Sequence, residues 1–168
     1  MKLTQLLLDQ LDREAVRTRR ALENVPTGKD DWVPHPKSMS LLRLAGLVAS
    51  MPAWIALVID KDELELSPPD GQQQFQPPKA DGLVAALDTA VKDGRAALEG
   101  TTDEYLLTTS WKLLFKGNVQ MNQPRHIVLI DTFSHLAHHR GQLTVYLRLN
   151  DKPVPAIYGQ SADDQRFG

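Results

Sequence analysis

The chain has 168 residues, a mass of 18.8 kDa and a formal charge of −2, from 19 Lys and Arg against 21 Asp and Glu. That size suits a single domain over residues 1–168, and 42% apolar with 24% charged residues is the balance of an ordinary globule. The near-neutral charge argues against a dedicated nucleic-acid binder. The absence of cysteine excludes disulfides, thiolate-held metals and a Cys nucleophile, so any metal site must draw on His and carboxylates.

The opening Met1-Lys2-Leu3-Thr4 leads into no apolar stretch of signal-peptide type. The longest uncharged apolar run, Leu44 to Ile59, is short for a bilayer span and contains Gly46, Ser50 and Pro52. A cytoplasmic address without membrane partners is the default expectation.

Residues 3–24 place Leu3, Leu6, Leu7, Leu11, Ala15, Val16, Ala21 and Leu22 at a 3.6-residue period, which predicts an amphipathic helix that Thr4 could cap. Pro26, Thr27 and Gly28 end it. Prolines on both sides of His35 predict a loop over 29–38. Ser38 or Ser40 then caps a second helix running to about Ile59, with a kink at Pro52 favoured over a full stop. Ser-Pro-Pro-Asp-Gly and Gln-Pro-Pro make 60–78 a long polar connection. A third helix is predicted over 79–99, stopped by Gly100.

Residues 101–122 read as an irregular insert. It opens on a short helical turn and continues as one hairpin, with Thr108–Phe115 as a strand and Lys116-Gly117-Asn118 as the turn. A fourth helix starts at Pro124 and runs to about Leu149, followed by an irregular tail over 150–168. The sum is an all-α four-helix bundle with long crossover connections and a short hairpin insert.

The fourth helix carries the densest chemical signal, His135-Leu-Ala-His138-His139-Arg140-Gly141-Gln142. Residues four apart on a helix differ by about 40° in direction, so His135 and His139 share a face one turn apart and could reach one metal ion. Asp131, His135, His139 (or His138), Gln142 and Tyr146 continue that stripe between Leu136, Leu143 and Leu147. The alternative is a set of half-buried polar residues at a helix interface. Two His do not complete a catalytic metal site, which needs a third protein ligand. Asp131, one turn before His135, is the nearest carboxylate on the right face.

His126 lies nine residues before His135, about 900° of helical turn, and falls on the opposite face. His35 in the first loop is read as a structural histidine. Tyr146 and Gln142 could orient a water or a substrate, and His139 or His138 could act as a titratable catalytic group. Arg140 and Arg148 could receive a carboxylate or thiolate, or form ion pairs. Trp54 and Trp111 could line a pocket mouth or fill the core.

The segment from His135 through Arg140-Gly-Gln142 to Leu149, followed by Pro153-Val-Pro and Ile157-Tyr-Gly, resembles the end of a DinB/YfiT-like protein. Trp32-Val-Pro-His-Pro-Lys-Ser-Met-Ser40 resembles the first loop of that family. Leu44-Ala-Gly-Leu-Val-Ala-Ser-Met-Pro-Ala-Trp54 resembles its second helix. The resemblance implies an up-up-down-down bundle, usually a homodimer. It also implies three His, one from the second helix and a pair from the last, holding a divalent metal such as nickel or zinc. Characterised relatives include transferases and isomerases that use low-molecular-weight thiols.

Carried onto this chain, the last-helix pair falls on His135 and His139, and the second-helix ligand position falls on Leu47. Leucine cannot ligate a metal. Two function classes follow. One is a divalent-metal-dependent hydrolase or thiol transferase that acts on a small electrophile with an incomplete site. The other is a non-catalytic, small-molecule-binding or stress-associated dimer whose metal site has decayed.

Overall fold

A computed structural model describes residues 2–67 and 77–166. Much of the predicted connection over 60–78 therefore lies outside the described residues. Among those described, the helices are α1 (Leu3–Leu22), α2 (Leu41–Ser50), α3 (Ala53–Asp60), α4 (Leu83–Glu99), α5 (Asp103–Thr108) and α6 (Arg125–Leu149). Three short strands accompany them: β1 (Glu63–Glu65), β2 (Ser110–Phe115) and β3 (Asn118–Pro124). The all-α expectation is thus corrected to a helical fold with a small sheet.

α1 packs between α4 and α6, and the α2–α3 unit packs between the same two helices. The first two helical units are therefore diagonal neighbours, as long crossover connections require. The interior divides into two apolar clusters. One gathers Leu22, Leu41, Leu44, Val48, Leu87, Leu136 and Leu143. The other gathers Leu7, Leu11, Ile55, Val58, Leu98, Trp111 and Leu129.

The capping of α1 comes from a distance. Thr4 does not cap its own helix; the Asp103 carboxylate at the start of α5 accepts the Leu3 and Thr4 N–H groups, both at 2.9 Å. A carboxylate there satisfies two open donors and complements the positive end of the helix dipole. Those hydrogen bonds hold the Asp103 carboxyl below its ordinary range.

Pro52 ends a helix where a kink was favoured. α2 stops at Ser50, and α3 restarts at Ala53 with a bend of 53° between them. Proline offers no N–H to the preceding turn, and its ring displaces that turn's carbonyl. The Ser50 hydroxyl donates back to the Gly46 and Leu47 carbonyls at 3.0 and 3.1 Å, and the Met51 N–H also donates to the Leu47 carbonyl at 3.0 Å, closing the last turn of α2. α4 meets the bend closely, because a Cβ on Gly94 would lie 2.6 Å from the Pro52 carbonyl oxygen.

β2 and β3 form the predicted hairpin. Lys116 and Gly117 make its turn, with φ of 51° and 73°. Two positive φ values match the twist of a tight hairpin, and glycine adopts one without steric cost. β1 was not anticipated. It pairs in parallel with Lys112–Leu114 of β2. The Glu65 carboxylate accepts the Ser67, Lys116 and Gly117 N–H groups, so Glu65 also clamps the hairpin turn.

Buried Arg125 secures the sheet to the bundle. Its guanidinium donates to the Val58 and Lys61 carbonyls, to Thr109 Oγ1 and to Asp62 Oδ1. The carbonyls at the C-terminus of α3 are thereby tied to the start of α6. The tail is irregular, as expected, yet firmly seated: Ala156 is buried, and Arg17 and Arg20 donate to the Ile157 and Ala156 carbonyls.

Candidate functional site

The straight run of α6 brings the predicted histidine pair together. His135 Nε2 and His139 Nε2 lie 2.8 Å apart, and His139 Nδ1 lies 2.8 Å from Gln142 Oε1. A neutral imidazole has one donor and one acceptor nitrogen. With Gln142 accepting at Nδ1, the free lone pair of His139 is on Nε2, so His135 donates there. His138 packs edge-on to His139 with ring centroids 4.9 Å apart. Partial burial, then the neighbouring charges of His139 and His138, hold His135 below the ordinary imidazole value.

His135 also forms part of the rim of an apolar cavity of 280 Å³. α3 supplies Trp54, Leu57 and Val58; α6 supplies Val128, Asp131, Thr132 and His135. The sheet closes the remaining side with Leu64, Trp111, Leu113 and Met121. Trp54 meets the His135 ring edge-on at 5.5 Å. Asp131 and His135 are exposed, whereas Trp111 is only 4% exposed, so the polar groups sit at the mouth and the indole lies deep.

The remaining sequence candidates divide between this region and the scaffold. Asp131 shares the cavity with His135. Among the described residues, however, no three His, Asp or Glu side chains lie close enough together to hold a metal. The donor set therefore does not fit a catalytic metal site, which takes three protein ligands. Tyr146 is buried, donates to the Met39 carbonyl at 3.1 Å and meets Trp32 edge-on at 5.4 Å, which joins α6 to the first loop. Leu47 is half-buried against the cluster containing Leu136, Leu143 and Tyr146.

Both arginines form ion pairs. Arg140 meets Glu14 at 2.6 Å with both side chains 1% exposed, and Arg148 meets Asp163 on the surface. His126 faces away from the pair, with Nδ1 3.2 Å from the Leu106 carbonyl. His35 Nδ1 accepts the Lys37 N–H within its own loop.

Sequence reasoning missed the cavity as a unit, because its wall draws on β1, β2, β3, α3 and α6. The alternation of Trp111 and Leu113 along β2 was the local signal for its inner face. It also missed Trp111 Nε1, the buried side-chain nitrogen that finds no hydrogen-bond partner among the described residues.

The sequence profile of the DinB family matches residues 1–166. A DinB-like protein from Bacillus subtilis is similar in structure, with 20% identity and a TM-score of 0.67 over 96% of this chain and 99% of that one. A DinB-like protein from Bacillus cereus ATCC 10987 has 23% identity and a TM-score of 0.68 over 90% of this chain and 95% of its own. No curated protein matches the sequence. The chain belongs to the DinB family. At these identities the structural likeness carries the fold, and the site must supply the function.

Proposed function

We propose that this DinB-family chain is a small-molecule-binding protein whose His135–His139 pair acts as a hydrogen-bonded imidazole dyad and not as the ligand set of a resident metal. The observation that supports this reading is the 2.8 Å Nε2–Nε2 contact without a third donor among the described residues. The dyad can hold one proton between its two Nε2 atoms and offer it to a ligand in the adjoining cavity, whose rim includes His135. Metal content of untagged protein, measured by mass spectrometry before and after incubation with nickel and zinc, tests the reading. The expected value is far below one equivalent; a value near one equivalent contradicts it.

A second reading keeps a divalent-metal-dependent hydrolase or thiol transferase. It is favoured by the convergence of both Nε2 atoms and by the His139–Gln142 contact, the kind of outer partner that orients a metal-binding imidazole. In this reading His135 and His139 would hold nickel or zinc with water in the remaining positions, since Asp131 does not join them as a three-donor group, and a bound ion would lower the pKa of a water or thiol. Leu47→His separates the readings. A large gain in zinc affinity supports a decayed site with Leu47 in the ligand position, and no gain removes Leu47 from that role.

We also infer a homodimer built on the groove between α1 and α6. Leu6, Leu7, Ile130, Phe133 and Ala137 line its 390 Å³. Leu6 and Ile130 are 43% and 49% exposed, an apolar rim that a second copy would cover.

A further inference from the structure

We draw no further inference here: the strongest candidate, the 280 Å³ apolar cavity between α3, α6 and the sheet, carries none because nothing in the structure shows what occupies it.

Discussion

His135 donates to His139 across 2.8 Å between their Nε2 atoms, one helical turn apart on α6. That contact limits the protons the pair can hold, because a second one would place two cations side by side. Burial and the charges of His139 and His138 lower the proton affinity of His135. The unfolded chain therefore takes up this proton first as the pH falls.

The sign of the stability effect follows. The contribution is complete above the ordinary imidazole value of 6.5 and is lost as the pH falls through the lower folded-state value. Urea midpoints should rise with pH across that window and flatten in His135→Gln. An unchanged slope in the variant, or a His135 NMR titration at or above the ordinary value, would contradict this account.

The Glu14–Arg140 pair is structural. It joins α1 to α6 with both side chains 1% exposed, and Tyr158 from the tail hydrogen-bonds to both. Glu14 also pairs with Arg17 at 2.7 Å, so it is removal of Glu14 that leaves a buried charge, Arg140, unmatched, which typically costs about 3–5 kcal/mol. Glu14→Leu should lose stability of that order in urea unfolding, and Glu14→Leu combined with Arg140→Met should recover part of it. Wild-type stability in Glu14→Leu would contradict a structural role for the pair.

Gly94 permits the close approach of α4 to the α2–α3 bend. Its added Cβ would sit 2.6 Å from the Pro52 carbonyl oxygen, an atom of backbone that cannot swing aside. Elsewhere in a helix, glycine to alanine is favourable. Here Gly94→Ala should destabilise by about 1–3 kcal/mol, the usual cost of overpacking. A stabilised variant would show that the helices separate freely.

The proposed homodimer has a mass test. Sedimentation should give twice the 18.8 kDa chain mass, and Ile130→Glu in the α1–α6 groove should return the chain to a monomer. A parent protein that sediments as a monomer removes the dimer.

The sequence was most informative where periodicity or fixed spacing carried the signal. The long helices, the Lys116-Gly117 turn and the shared face of His135 and His139 all follow from local pattern. β1 did not, because Glu63-Leu64-Glu65 is too short to show alternation and its partner, Lys112–Leu114, lies far along the chain. Arg125 illustrates the same limit. Its burial depends on the carbonyls of Val58 and Lys61, which only the folded chain brings within reach. The cavity combines both cases: His135 was legible from spacing, and Trp111 takes its place in the wall from the sheet.

The most direct measurement is a long-range 1H–15N imidazole spectrum of the untagged chain, recorded while zinc is added to one equivalent. The account predicts that the His135 and His139 Nε2 signals stay hydrogen-bonded and essentially unmoved at that ratio. Conversion of both signals to a new set, complete at one zinc per chain, would contradict it and restore the pair as metal ligands.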